Sequence, residues 1–155
     1  MCTAINFLNQ QHENVFGRTM DFHYILDPRL AVFPAGSTWE NTLGRQLTDR
    51  YAVAGISRHF KNLYVLFDGV NEKGLAMAGL NFPGNAAYRE ARKGSQNITP
   101  YELIPWVLGQ CACRKEAVAL LQELNLLNVP FAEGLPLTPL HWMIADREQA
   151  ITVEF

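Results

Sequence analysis

A chain of 155 residues is one domain's worth of sequence, long enough to bury about two-thirds of its unfolded surface. An apolar fraction of 48%, a charged fraction of 18% and a formal net charge of -2 describe an ordinary globular protein. They give no reason to expect nucleic acid or an anionic membrane as partner, and no apolar run reaches the length of a membrane-spanning helix.

Thr3 to Leu8 alternates loosely and is rich in strand formers, Asn9 to Asn14 is a polar turn, and Val15 to Phe22 returns as a second strand. This hairpin would carry Cys2 at one end and Arg18 and Asp21 at the matching end of its partner. A spacing of three puts Arg18 and Asp21 on opposite faces of a regular strand, so the strand must bulge or stop between them. His23 to Pro28 reads as a loop, Leu30 to Phe33 as a short strand, and Ser37 to Asp49 as irregular. Tyr51 to Ser57 is a further strand, and Arg58 to Asn62 a basic loop. Leu63 to Phe67 and Leu75 to Leu80 flank GVNEKG, whose Asn and Gly suit a hairpin connection.

Asn81 to Tyr88 is turn-rich and Arg89 to Asn97 a polar linker. Thr99-Pro100 is a helix start, with Thr at the N-cap and Pro in the first position. Its helix runs to about Leu108, with a break expected at Pro105. A second helix, Arg114 to Leu124, shows apolar residues at Ala117, Val118, Leu121 and Leu124. Asn128 to Pro139 is a Pro-rich loop, and Leu140 to Ala145 and Ile151 to Phe155 form a last hairpin around DREQ. The sequence stops within an apolar β-run, where a sheet would keep an unpaired edge.

The chemistry concentrates at the start. Removal of Met1 leaves Cys2 with a free α-amine, which loses its proton at about pH 7.7–8.0. That amine lies within covalent reach of a thiol that reacts as its thiolate. One residue then supplies nucleophile and base. Arg18 would favour the ionised thiol, and Asp21 could orient the guanidinium or the ammonium. Three cysteines, an odd number, argue against a disulfide framework. The opening residues lack the charged and apolar regions of a secretory signal, so cytoplasmic residence is expected, and a reducing compartment suits a free thiol.

Cys111 and Cys113 are too closely spaced for structural zinc, and no second ligand pair is near. They read as core or helix-end residues. His12, His23, His59 and His141 form no metal-binding spacing, so no metal and no cofactor is expected. A Cys2–His141 pair is an alternative without sequence geometry to support it. Neither a phosphate-binding loop nor a G-x-S-x-G elbow occurs.

Taken together, MCTAI, FGRTMDF, GVNEKGLAMAGLNFPGNAAY and LHWMIAD, in this order and spacing, closely resemble the choloylglycine hydrolase family. Its members are bile salt hydrolases and penicillin V acylases, both N-terminal-nucleophile amidases. The resemblance implies an α+β fold, a four-layer αββα sandwich, with residues 1–155 as the N-terminal part of a single domain. It implies hydrolysis of a linear amide by Cys2, flanked by Arg18 and Asp21, with Asn81 in the oxyanion hole. Met20, Phe60, Phe67, Phe131 and Leu135 match pocket positions, though Phe67 sits on an expected strand and reads better as core.

The implied substrate is a glycine- or taurine-conjugated bile salt, because relatives favouring penicillin V tend to carry Tyr where this chain has Asn81. The alternatives are a penicillin V acylase or another N-acyl amide acylase, and a truncated binder of amphiphiles without turnover. Family chains are roughly twice this length, so a second oxyanion Asn and a further active-site Arg have no counterpart here. Weak or no activity is expected of the 155 residues alone, and a homotetramer of the full-length form.

Overall fold

The computed structural model describes residues 2–21, 27–60, 63–130 and 136–155. The chain opens on β1 (Ala4–Leu8) and β2 (Asn14–Arg18), an antiparallel hairpin in which Ala4 faces Arg18. There follow β3 (Arg29–Phe33), β4 (Thr38–Glu40), β5 (Gln46–Thr48), β6 (Val53–Phe60), β7 (Leu63–Leu66), β8 (Asp68–Asn71), β9 (Ala76–Asn81) and β10 (Gln96–Ile98). A 3-10 turn (Pro100–Glu102) leads into α1 (Leu103–Gln110), then α2 (Arg114–Gln122), β11 (Leu124–Leu126), β12 (Leu140–Ala145) and β13 (Ala150–Val153).

Seven strands form the main sheet in the order β13-β12-β9-β8-β6-β3, with β7 also paired to β6. Its pairings are antiparallel. Alternation gives the sheet two different faces. One packs on α1 and the core, where Leu75, Met77, Leu103, Val107, Leu108, Trp142 and Ile144 are fully buried. The other carries Ala54, Ile56, Asp68 and Val70, and over it lies the β1–β2 hairpin, enclosing a cleft of about 1400 Å³. Leu30 and Val32 on this face remain 72% and 64% exposed.

Local chemistry accounts for several joints. Glu102, almost fully buried, reaches back to the Thr99 N–H at 2.6 Å, satisfying an amide at the helix start, and accepts from the Thr42 hydroxyl at 2.7 Å. The turn after β8 closes on Gly74 at φ +84°, while Asn71 Oδ1 accepts from the Lys73 and Leu75 amides. The same carboxamide donates to the Leu108 and Cys111 carbonyls at 2.8 and 2.7 Å, tying the hairpin to the end of α1.

Five expectations are corrected. The break expected at Pro105 falls earlier, at Leu103, which leaves Pro105 in the first turn of α1, where an amide N–H has no helical partner to lose. Ser37 to Asp49 is not irregular but the β4–β5 hairpin, held by Leu47, which is buried, and by Trp39 Nε1 donating to Asp49. Arg58 to Phe60 extends β6, and the GVN of the expected turn belongs to β8. The polar linker ends in β10, paired in parallel with β11 through Asn97↔Asn125. Residue 22 of the expected second strand, 23–26 of the expected loop, 61 and 62 of the basic loop and 131–135 of the Pro-rich loop lie outside the described residues.

Candidate active site

Cys2 is half-buried, directly ahead of β1. The hairpin continues past its ladder: the Thr19 N–H donates to the Thr3 carbonyl at 2.9 Å, and the Thr3 N–H to Thr19 Oγ1 at 3.1 Å. This register sets Cys2 opposite Met20. Cys2, Ala4 and Arg18 share one face of the hairpin by alternation. The strain over Arg18 and Asp21 is relieved because β2 ends at Arg18. Released from alternation, Asp21 lies at the hairpin's open end, where its Oδ2 accepts from Thr19 Oγ1 at 3.3 Å.

Arg18 is the fixed point. Its side chain is 7% exposed, its Nη2 donates to the Gly79 carbonyl on β9 at 2.7 Å, and its Nη1 lies 3.8 Å from Asp68 Oδ2 on β8. Burial raises the Asp68 carboxyl above the ordinary range; the Ile56 N–H bonded to its Oδ1 and the Arg18 guanidinium work against that rise. Sequence reading missed both partners of Arg18. Asp68 falls between the expected strand and the GVNEKG turn with nothing in its spacing to single it out, and a backbone carbonyl leaves no mark in a sequence.

Asn81 is the exposed last residue of β9, two positions beyond the Gly79 that anchors Arg18. That spacing is about 7 Å along a strand. Phe60 ends β6, partly buried, on the face of Ile56. Phe67 is partly buried where β7 passes into β8. Phe131 and Leu135 lie outside the described residues. The cleft is lined by Phe16, Arg18, Ile56, Asp68 and Val70, but not by Cys2, Met20, Phe60 or Asn81.

His141 on β12 stacks on Phe82 at 4.4 Å, with its Nδ1 3.7 Å from a Glu154 carboxylate oxygen. Cys111 is core, its thiol pushed up to about 12, first by burial and then by Glu116 and Cys113. No group of three potential metal ligands occurs among the described residues.

Residues 2–155 match the family model for linear amide C–N hydrolases of the choloylglycine hydrolase family. The chain belongs to that family. The bile salt hydrolase/transferase of Lactiplantibacillus plantarum is 40% identical over 99% of this chain and 47% of its own length. That of Clostridium perfringens is 36% identical over 94% of this chain and 45% of its own length. The chain therefore spans about half the length of these relatives.

Among solved structures, an R18L variant of the conjugated bile acid hydrolase from Clostridium perfringens superposes with a TM-score of 0.91 at 32% identity, covering 99% of this chain and 48% of that one. A penicillin V acylase from Agrobacterium tumefaciens superposes at 0.78 and 21% identity, over 100% of this chain and 46% of that one, a likeness of fold. The α+β architecture is that of the N-terminal-nucleophile hydrolases. The described residues supply a helical layer, the main sheet and the separate two-stranded β1–β2 hairpin.

Proposed function

We propose that this chain is the nucleophile-bearing part of an amidase that deconjugates glycine- and taurine-linked bile salts. The observation that carries the reading is the family match across residues 2–155, with Cys2 leading the strand whose partner ends at the buried Arg18. After loss of Met1, Cys2 Sγ attacks the amide carbonyl carbon and its own α-amine takes the thiol proton. The tetrahedral centre collapses with cleavage of the C–N bond, and the α-amine passes the proton to the departing glycine or taurine nitrogen. Water then attacks the thioester, releasing the bile acid and restoring the thiol.

Asn81 is assigned as donor to the developing oxyanion, a contribution of about 2.7–4 kcal/mol for one such donor. Arg18 and Asp21 hold the charge and orientation of the Cys2 end. Met20, Phe60, Phe131 and Leu135 are assigned to the steroid pocket. Residues 1–155 are read as the first part of one domain, acting in the cytoplasm and tetrameric at full length. Because the relatives are about twice as long, the 155 residues alone are expected to turn over slowly or not at all.

The test compares glycocholate with penicillin V on one preparation, whose intact mass establishes both Met1 removal and polypeptide length. Glycocholate is expected to be cleaved faster, and Cys2→Ala to abolish cleavage. Equal or reversed rates defeat the bile salt assignment, and cleavage surviving in Cys2→Ala defeats the mechanism. The alternative reading is a binder of amphiphiles without turnover. Glycocholate binding unchanged by Cys2→Ala, in a parent that hydrolyses nothing, would establish it.

A further inference from the structure

We infer that Asp68 is a positioning residue for the nucleophile: it holds the Arg18 guanidinium against the main sheet and, through it, fixes the Cys2 end of the β1–β2 hairpin. This rests on the reading of Cys2 as nucleophile and adds a residue to that site. The two groups that grip Arg18 sit side by side, because Asp68 on β8 faces Ala78 on β9 and Gly79 is the next residue. Asp68 is itself oriented, its Oδ1 taking the Ile56 N–H at 3.2 Å while Oδ2 faces Arg18.

At the turn end of the hairpin, Asn14 Nδ2 donates to the Asp146 carbonyl at 3.0 Å. Arg18 is the matching tie at the open end, across the ladder from Ala4 and two residues from Cys2 on one face. Arg18 Nε and Nη1 make no hydrogen bond, so without the Asp68 charge the buried guanidinium keeps only the Gly79 carbonyl, a state that favours release. The side chain is long and borders an open cleft, so it can swing away from the sheet. Released, it no longer places its charge on the hairpin face that carries Cys2.

The experiment alkylates Cys2 with iodoacetamide in the 155-residue chain freed of Met1. Modification is followed by peptide mass spectrometry as a function of pH, with melting curves run alongside. Arg18→Gln is expected to raise the midpoint of the pH profile by about one unit, roughly tenfold slower alkylation at neutral pH. Asp68→Asn is expected to raise it too, and the Arg18→Gln/Asp68→Asn double variant to match Arg18→Gln alone. Asp68→Glu should return the midpoint toward the parent.

A direct action of the Asp68 charge on the thiol would move the midpoint the other way, since removing an anion favours the thiolate. A lowered or unmoved midpoint in Asp68→Asn, or shifts that add in the double variant, overturns the assignment of Asp68 alone. An unmoved midpoint in Arg18→Gln overturns the reading of Arg18 and Cys2 as one site, and Asp68 falls with it. If Asp68→Asn does not fold, Asp68→Ser is read by the same criterion.

Discussion

Gly55→Ala tests the close contact that sets Asp68 in place. A Cβ on Gly55 would lie 2.1 Å from the Asp68 carbonyl oxygen, 2.9 Å from Gly69 Cα and 3.0 Å from Leu66 Cδ2. Carbon and oxygen settle no closer than about 3.3 Å, so β6 and β8 would have to part by roughly 1.2 Å, and the nearest obstacle is backbone. An opening of that size carries the 2.9 Å Phe67 N–H to Ile56 carbonyl bond beyond hydrogen-bonding range. It also strains the Ile56 N–H to Asp68 bond.

Overpacking at about 1–3 kcal/mol, one lost hydrogen bond at about 1 kcal/mol and one strained bond at up to about 1 kcal/mol give a destabilisation of about 2–5 kcal/mol. For a domain of this size that is a melting point about 10 °C lower. The control is Gly17→Ala, whose Cβ would meet only Ile5 Cγ1, at an ordinary 3.8 Å; it should stay within about 0.5 kcal/mol of the parent. Both variants are read by urea titration and thermal melting followed by circular dichroism. A Gly55→Ala protein melting alongside Gly17→Ala would refute the argument that β6 and β8 admit no side chain between them.

Asn71→Ala removes two acceptor and two donor contacts from a buried site and strands the Leu108 and Cys111 carbonyls, so unfolding in urea should show a loss of about 2–4 kcal/mol. Cys111 makes stability depend on alkaline pH. The unfolded thiol ionises near 9.0 while the buried one holds its proton to about 12, so the folded state binds the extra proton. Stability is then complete below the unfolded value and falls as pH rises through this window, by up to about 1.4 kcal/mol per pH unit. A Cys111→Ala chain should lack that slope in urea titrations across the same range, and native Cys111 should resist iodoacetamide while Cys2 reacts.

Residues that act through their neighbours in sequence were legible without coordinates. The first hairpin, the Thr99-Pro100 helix start, the Arg114 helix and the final hairpin all follow from periodicity and turn chemistry over short spans. Cys2 as a candidate nucleophile needed only its place behind Met1. Where reading failed, the deciding partner was distant. Ser37 to Asp49 looks polar and shapeless until Leu47 is buried against the core and Asp49 accepts from Trp39. Likewise β10 is a strand because it runs beside β11, twenty-eight residues on.

The family resemblance and the candidate nucleophile are thus readable in the chain, because four ordered motifs and a cysteine behind Met1 are local facts. What tertiary structure decided is how Arg18 is held. Its carboxylate partner is fifty residues away and its carbonyl partner sixty-one, and neither distance has meaning until β8 and β9 are laid side by side beneath the hairpin. Burial then turns that meeting from a screened surface pair into a constraint, since a guanidinium out of water must keep its partners.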